Sequence, residues 1–424
     1  MLRSKNFIHI LILSIAVSYL LSITILVFKN FVSNYPPDEN YILKNESLMG
    51  GDFIAFYTGG YLAKFDRKNL YNFEVQKRFR AEITDTNQSK PKPKAEGELP
   101  FAYPPLVAAF FSLFSLFEFD DAFYLWTFLN VVFGFSSLLL LSYFCGFLSL
   151  KFFPLILLFI TGYIPYSVDC LAGGQISSFG IFIFSLIFIL LKIEKKFFSG
   201  LILSLGYYKP PLFLFFSVAA IFLFGKRFFW GCITGAVLLT ALSILFMEGL
   251  SDFSNYLSVA SKYTYGQELI PGLHLPPIYG MGIFGLYTIL LKDTFLTVIF
   301  YILTFAFLLF LFFKLFYSNN FLNKNVEFSY VFILAASLGL SLQINDYDLS
   351  ILLPAFIILF KKFKISKIRS YLILLIVISF YVEWMFREIL ILNFTINLSS
   401  LLFFIFFIVL IILRTKKIDA TPTY

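Results

Sequence analysis

The stretch FFSGLILSLGYYKPPLFLFFSVAAIFLF, residues 197–224, decides the fold class of this chain. It is apolar almost throughout and is flanked by lysines at both ends. One straight membrane helix would place these basic flanks on opposite sides of a bilayer, whereas short loops rich in Lys and Arg stay in the cytosol. Because proline interrupts a helix, the Lys209-Pro210-Pro211 break near the middle resolves the conflict. The stretch therefore predicts two short membrane helices, 197–208 and 210–224, that run out and back.

The composition extends this conclusion to the whole chain. Hydrophobic residues make up 59% of the 424 residues and charged residues only 14%, against about 25% in a soluble domain. So much apolar surface requires lipid as the main solvent. The formal net charge is +8, but the basic residues stand in short clusters between apolar runs, which indicates membrane topology and argues against a nucleic-acid partner. The cysteines have no motif spacing and predict neither a disulfide framework nor a metal site.

Basic clusters and apolar runs together predict an all-α polytopic membrane protein with about twelve transmembrane helices in a single domain, residues 1–424. Both termini are expected in the cytosol. The predicted spans are residues 7–28, 122–142, 152–167, 175–192, 197–208, 210–224, 228–247, 292–316, 328–343, 349–361, 370–391 and 397–413. The long segments 29–121 and 248–291 then lie on the non-cytosolic side. Amphipathic pieces at 53–65 and 252–262 predict short helices at the membrane interface, with ordinary packing inside the protein as the alternative.

The candidate functional residues fall on one side of this topology. Asp52 follows two glycines and precedes an apolar helical stretch, so it is either a general base for an acceptor hydroxyl or an N-cap. Lys209 stands well inside a membrane run, where a charge costs about 2.5–3.5 kcal/mol. It is expected to neutralise a phosphate, with help from interfacial N–H groups, unless its side chain simply reaches back to the interface.

Weaker candidates fall on the same side. Tyr103 stands in a Phe-Ala-Tyr-Pro-Pro run that suits a headgroup-level helix start, and Gln175 follows a glycine pair and has an amide that can bind a sugar. Asp346 and Asp348 form a D-x-D pair, for which a polar loop at the site is favoured over a divalent metal clamp. His274 in the second outer loop is a possible acceptor-site group or an ordinary loop histidine. Their common side predicts a single cleft at the outer membrane face.

Several of these motifs, taken in order, resemble glycosyltransferase family 87. The motifs are Gly51-Asp52-Phe53 with Tyr57 and Leu70-Tyr71, Phe101-Ala102-Tyr103-Pro104-Pro105, Leu125-Trp126 with Asn130, Gly174-Gln175 and Lys209-Pro210. The resemblance covers about residues 45 to 220 and implies a GT-C-like helix bundle. It also implies a polyprenyl-phosphate sugar donor, often carrying mannose. Separately from the resemblance, no cofactor is expected, and a divalent metal at Asp346 and Asp348 is the alternative that is not favoured.

The resemblance also implies that Asp52 is the catalytic base and that Lys209 takes the family's Lys-Pro position. The other candidates rest on their own positions in the sequence. Lys209, Tyr103, Gln175 and Tyr208 are expected to bind the donor phosphate or sugar. Asp346, Asp348, His274 and Tyr57 are expected to bind the acceptor or line the site. The late outer loop carries Asn345 and Asp348 where some members of the family have a histidine beside the acid, so no late histidine is expected here.

The expected activity is inverting transfer of a hexose, with mannose first, to a lipid or glycan acceptor at the outer face of a bacterial plasma membrane. Two alternatives stay open. A transporter or flippase would need paired broken helices and charged groups near the bilayer midplane, whereas this chain has one broken segment and long outer loops. A polysaccharide polymerase or ligase would share the outer site but use a diphosphate-linked oligosaccharide.

Overall fold

The structure of the protein is a computed structural model. It describes residues 48–84, 100–146, 160–246, 250–262, 280–319 and 326–361, the short pieces 268–270, 273–274, 388–391 and 394–397, and scattered residues in 17–44 and at 378, 402, 403 and 405. The predicted spans 7–28 and 152–167 lie partly outside these residues, and 370–391 and 397–413 lie largely outside them.

Helices dominate the described part of the chain, as expected from its long apolar runs. In chain order they are α1 (Phe53–Phe65), α2 (Phe73–Thr84), α3 (Pro105–Phe111), α4 (Phe119–Cys145), α5 (Ser177–Lys192), α6 (Lys196–Ser204), α7 (Pro210–Phe224), α8 (Lys226–Phe246), α9 (Leu250–Lys262), α10 (Ile283–Leu291), α11 (Thr294–Asn319), α12 (Val326–Gly339) and α13 (Leu353–Lys361). Short 3-10 turns occupy Arg67–Asn69, Phe114–Leu116, Leu205–Tyr208 and Tyr347–Leu352, and Tyr166–Ala172 is a π-helical segment.

Two antiparallel strand pairs qualify the all-α prediction. Strands β1 (Glu268–Ile270) and β2 (Leu273–His274) pair in the second predicted outer loop. Strands β3 (Glu388–Ile391) and β4 (Phe394–Asn397) pair farther along the chain. The end of the predicted helix 370–391 is therefore wrong. The residues that follow Glu388 at the end of this predicted helix are isoleucine or leucine. Such residues suit a strand as well as a membrane helix.

The predicted count of about twelve spans is not confirmed. Among the described residues, α4, α8 and Thr294–Lys314 of α11 are long and apolar enough to cross a membrane. A further span results if the π-helical segment and α5, which meet at a bend of 107°, are taken together. Helices α7 and α12 are apolar but shorter, so length alone does not make them spans.

The break at Lys209 is confirmed. Helix α6 gives way to a 3-10 turn that ends at Tyr208, and α7 begins at Pro210. Lys209 is the N-cap of α7 with φ −137° and ψ 75°, because a residue before proline avoids the helical region. Pro210 and Pro211 occupy the first helical positions, where a missing backbone N–H costs little. Lys209 therefore lies at the tip of the helical hairpin, and Pro210 restricts its backbone dihedral angles.

Glycines bring α6 and α8 into close contact. A Cβ atom added at Gly200 would lie 2.1 Å from the carbonyl oxygen of Phe228, and one added at Gly231 would lie 2.0 Å from that of Phe197. The two backbones therefore approach each other through surfaces without side chains, which is the usual way for membrane helices to pack. This contact fixes the first arm of the Lys209 hairpin against a candidate membrane span.

Helix α1 corrects the prediction of an interfacial helix at 53–65. It is buried on nearly every side, and only its C-terminal Lys64 and Phe65 are exposed. Its closest neighbour is α3, since a Cβ atom at Gly60 would lie 2.3 Å from the carbonyl oxygen of Phe111. Two segments of the same predicted outer loop thus pack on each other, and α1 has no free apolar face to lay on lipid.

Helix α5 connects the two ends of the molecule. At its N-terminus, the Oγ atom of Ser177 donates to Oδ1 of Asp348 at 3.4 Å. At its C-terminus, Nζ of Lys192 lies 2.8 Å from Oε1 of Glu327, in the first turn of α12. The rise of a helix puts these two contacts about 22 Å apart. The basic cluster at Lys192 and the surroundings of Asp348 therefore lie at opposite ends of α5.

Candidate active site

A cleft forms where the predicted outer loops meet the tip of the hairpin, and it encloses about 470 Å³ of space, including the part open to solvent. The residues that line it come from four separated segments of the chain. They are Pro100, Ala102, Tyr103 and Pro104; Tyr208, Lys209, Pro210 and Pro211; Tyr256; and Gln343, Asn345 and Tyr347. The cleft therefore brings together Tyr103, Lys209 and the loop that carries Asp346.

Two contacts attach the second predicted outer loop to the late loop and close one side of the cleft. Nε2 of Gln343 donates to the carbonyl oxygen of Ala260 in α9 at 3.4 Å. The backbone N–H of Met281 donates to the carbonyl oxygen of Ile344 at 3.0 Å. Tyr256, which sequence reasoning did not single out, reaches the cleft because α9 is held in this position.

Lys209 supplies the positive charge of the cleft. Its Nζ atom lies 2.5 Å from Oδ2 of Asp348 and 5.1 Å from the centroid of the Tyr347 ring. Its side chain is 10% exposed, whereas that of Asp348 is 1% exposed. The lysine therefore stands at the cleft wall, and the carboxylate lies behind it. The pairing with an anion explains how a lysine is kept in so apolar a region.

Asp348 is itself held by its own loop and by α5. The backbone N–H of Asn345 donates to Oδ2 at 2.9 Å, and Ser177 donates to Oδ1. Both carboxylate oxygens are thus engaged by groups from the protein. The sequence carried no signal for the pairing of Lys209 with Asp348, because the two residues are 139 positions apart.

The other member of the D-x-D pair points elsewhere. The Oδ1 atom of Asp346 accepts the backbone N–H of Tyr347 at 2.9 Å, and its carbonyl oxygen accepts the hydroxyl of Tyr163 at 3.1 Å. A divalent cation shared by Asp346 and Asp348 would have to sit beside the ammonium of Lys209. The two carboxylates therefore do not suit a metal ion, because the neighbouring positive charge of Lys209 opposes the binding of a cation.

Helix α7 offers few free backbone donors beside Lys209. Pro210 and Pro211 have no N–H, and the N–H of Leu212 donates to the carbonyl oxygen of Lys209 at 3.0 Å. The expectation that interfacial N–H groups assist Lys209 is therefore wrong for these first positions of α7. What remains there is the positive end of the helix dipole together with the ammonium group.

Tyr103 and Tyr256 form an aromatic rim on the cleft. The hydroxyl of Tyr71 donates to the carbonyl oxygen of Tyr103 at 2.9 Å, and the Tyr71 ring lies 6.3 Å from that of Tyr256. The Tyr103 ring also lies 4.8 Å from the Phe56 ring of α1. Burial raises the pKa of Tyr256 to about 12, so its hydroxyl stays protonated and can donate a hydrogen bond.

Tyr208 lies at the cleft, but its hydroxyl does not face it. The hydroxyl is buried and lies against Gly180 of α5, 2.6 Å from the position that a Cβ atom would take there. Among the described residues it has no hydrogen-bond partner. The Tyr208 hydroxyl is therefore not available to a ligand in the cleft, and binding of the donor by Tyr208 stays a prediction.

Gln175 lies behind the cleft, two residues before Ser177. Trp126 of α4 donates from Nε1 to the carbonyl oxygen of Gly174 at 2.7 Å, and Nδ2 of Asn130 donates to that of Gln175 at 3.1 Å. The side chains of Trp126 and Asn130 thus hold the Gly174-Gln175 segment in place. This gives a structural role to the motif that contains Trp126 and Asn130. The Oε1 atom of Gln175 is buried and has no partner among the described residues.

Asp52 is joined to this segment through the backbone. The N–H groups of Asp52 and Phe53 both lie 3.0 Å from the carbonyl oxygen of Gly173. Asp52 occupies the N-cap position of α1, yet its side chain makes no capping hydrogen bond and is half-buried. The carboxylate is thus not used to cap the helix, although it is not among the residues that line the cleft.

Tyr57 and His274 take other positions. The Tyr57 hydroxyl donates to the carbonyl oxygen of Phe117 at 2.9 Å inside the α1–α3 core. His274 lies in β2, where it pairs with Glu268 of β1. Among the described residues that line the cleft, Tyr57 does not appear.

The model for glycosyltransferase family 87 matches residues 101–338, which is more than half of the chain. The match includes Tyr103, Gln175 and Lys209, begins after Asp52 and ends before Asp348. No curated protein and no solved structure matches the chain. With this match and its apolar membrane helices, the chain belongs to glycosyltransferase family 87 and is an integral membrane enzyme that transfers glycosyl groups.

Proposed function

We propose that the enzyme transfers a hexose, with mannose as the first candidate, from a polyprenyl-phosphate donor to a lipid or glycan acceptor. The observation that carries this proposal is the cleft whose wall presents Lys209, in contact with buried Asp348 and with aromatic and proline side chains around it. The cleft stands at the end of α5 opposite the basic cluster, and membrane proteins keep such clusters in the cytosol. We therefore place the reaction on the non-cytosolic side, in a bacterial plasma membrane.

The charge of the cleft favours a donor with a single phosphate. Lys209 is the one formally charged residue among those described as lining it, and Asp348 offsets that charge from behind. A polyprenyl-phosphate sugar carries a single phosphodiester charge, which one partly compensated ammonium group can balance. A diphosphate-linked oligosaccharide, the donor of a polymerase or ligase, has more negative charge and would usually need further cations or a metal. We propose that no metal takes part at Asp346 and Asp348.

Transfer proceeds as a single displacement with inversion. The acceptor oxygen attacks the anomeric carbon, the bond from that carbon to the phosphate oxygen breaks, and its electron pair leaves with the polyprenyl phosphate. Lys209 stabilises the charge that develops on this phosphate, aided by the positive end of α7. The acceptor proton passes to the carboxylate of Asp52, which is half-buried and makes no helix cap.

The aromatic rim suits the sugar ring. The rings of Tyr103 and Tyr256 offer flat apolar faces, and the protonated hydroxyl of Tyr256 can donate to a sugar oxygen. Gln175, which was expected to bind the donor sugar, is buried behind the cleft and does not line it, so it has no assigned step. His274 and Tyr57 have no assigned step.

The test of the base is Asp52→Asn. We expect transfer to fall by about 100- to 10,000-fold, which is the usual contribution of general base catalysis, while the thermal unfolding temperature in detergent stays unchanged. The assay measures radiolabelled hexose passing from a polyprenyl-phosphate donor to extracted membrane acceptors. Asp66→Asn, at the other end of α1, is the matched control and should retain full activity. Full activity of the Asp52 variant would remove this residue from the mechanism.

The same assay separates the transporter or flippase alternative. A transporter forms no glycosidic bond, so purified protein in detergent would yield no labelled product from any donor. Offering polyprenyl-phosphate and polyprenyl-diphosphate donors separately distinguishes the transferase from a polymerase or ligase.

A further inference from the structure

We propose that Asp348 is a positioning residue that aims the ammonium group of Lys209 at the donor phosphate, with Ser177 holding the carboxylate in place. This inference rests on the proposed function for the identity of the phosphate ligand. It changes the expected role of Asp348, which sequence reasoning placed among the residues that line the site or bind the acceptor.

The burial of the two side chains supports this division of roles. Asp348 has a 1% exposed side chain and does not line the cleft, so it has no path to a substrate. Lys209 is more exposed and does line the cleft. An ammonium group has several N–H donors, and the contact with Oδ2 of Asp348 uses one of them. The others remain on the side of Tyr347 and the cleft.

The hydrogen bonds that hold the Asp348 carboxylate also support the positioning role. Oδ2 accepts the N–H of Asn345 at 2.9 Å, and Oδ1 accepts the Ser177 hydroxyl at 3.4 Å. Ser177 opens α5, directly after the segment that Trp126 and Asn130 hold. The position of the ammonium is therefore set from several elements at once. Such support is what a group must have to stabilise charge without reorganising during the reaction.

The backbone of Lys209 is restricted from the other direction. Pro210 keeps Lys209 out of the helical region, at φ −137° and ψ 75°, and the next residue already belongs to α7. A long lysine side chain still has many rotamers on such a backbone. The Asp348 contact selects one of them, so losing it should weaken donor binding more than acceptor binding.

The experiment compares Asp348→Asn, Ser177→Ala and Glu327→Gln in the full-length enzyme. Asn keeps the shape of Asp348 but removes its charge. Glu327→Gln is the matched control, because it removes the ion pair with Lys192 at the far end of the same helix. For each variant the KM of the donor, the KM of the acceptor and kcat are measured with whichever donor the wild-type enzyme uses.

We expect Asp348→Asn to raise the donor KM at least tenfold, with the acceptor KM within twofold of wild type. Ser177→Ala should shift the donor KM in the same direction by about two- to fivefold, and Glu327→Gln should leave both constants unchanged. If Asp348→Asn does not fold, Ser177→Ala decides the question, since it removes only one hydroxyl. An unchanged donor KM in the folded variants, or an equal rise in both constants, would overturn the positioning role. Failure of the proposed function shows separately, as a wild-type enzyme inactive with every polyprenyl-phosphate sugar.

Discussion

At the scale of single residues, the charge of Lys209 in an apolar membrane run costs free energy, and the ion pair with Asp348 offsets that cost. The Lys209 side chain is only 10% exposed, and its charge is compensated by a carboxylate whose side chain is 1% exposed. Removing one partner of a buried ion pair leaves the other without compensation, which costs about 3–5 kcal/mol. Replacing both partners with neutral groups of similar size usually costs much less.

We therefore expect Lys209→Met to lower the thermal unfolding temperature clearly in detergent, and Lys209→Met combined with Asp348→Asn to recover most of the loss. Thermal unfolding followed by tryptophan fluorescence measures both. The matched control is Lys192→Met, whose partly exposed ion pair with Glu327 should matter less because solvent screens it. A single Lys209 variant as stable as wild type would contradict the account of this pair.

Sequence reasoning found some residues of this site and missed others, for physical reasons. Lys209 and Tyr103 stood out because a charge or a Tyr-Pro-Pro run inside apolar sequence is locally visible. Tyr256 and Ser177 did not, because a tyrosine on an amphipathic helix and a serine at a helix start are common. The contact between Lys209 and Asp348 depends on how α5, α7 and the late loop pack, and no local pattern carries that information.

At the scale of elements, the glycine contact between α6 and α8 fixes one arm of the hairpin. A side chain at Gly231 would meet the backbone of Phe197, which cannot move aside as a flexible side chain can. We expect Gly231→Leu to lower the free energy of unfolding by about 1–3 kcal/mol, which is the usual cost of overpacking. Thermal unfolding in detergent tests this.

The control is Val237→Ala on the same helix, where the side chain is 62% exposed. This variant should unfold at nearly the wild-type temperature. Equal stability of the Gly231 and Val237 variants would show that α6 and α8 are not packed as described here.

Sequence patterns predicted some of the helices correctly and misjudged the surroundings of one. The Lys-Pro-Pro break and the ends of α7 and α8 followed from proline chemistry and basic flanks, and those predictions are confirmed within a few residues. The amphipathic prediction for 53–65 failed because α3, from the same loop, covers the helix. A sequence shows that a helix has an apolar side but does not show whether lipid or protein will cover it.

At the scale of the whole molecule, the cleft and the basic cluster should face opposite sides of the membrane. Ser254 on α9 and Glu194 after α5 are both exposed. The cysteines at 145, 170 and 232 are all buried, so they should give little background in thiol labelling. We expect a membrane-impermeant maleimide added to intact cells to label Ser254→Cys and not Glu194→Cys. Labelling of Glu194→Cys alone would place the cleft in the cytosol.

Whether the Lys209 cleft is the place of sugar transfer is tested by comparing two proteins, the wild-type enzyme and the Lys209→Met, Asp348→Asn double variant. Both are assayed for transfer from a radiolabelled polyprenyl-phosphate hexose. The double variant is chosen because it should fold without presenting a positive charge to the cleft. We expect a labelled product from the wild-type enzyme and at least a 100-fold lower rate from the folded double variant. Transfer at the wild-type rate by that variant would contradict the claim that the Lys209 cleft is where the sugar is transferred.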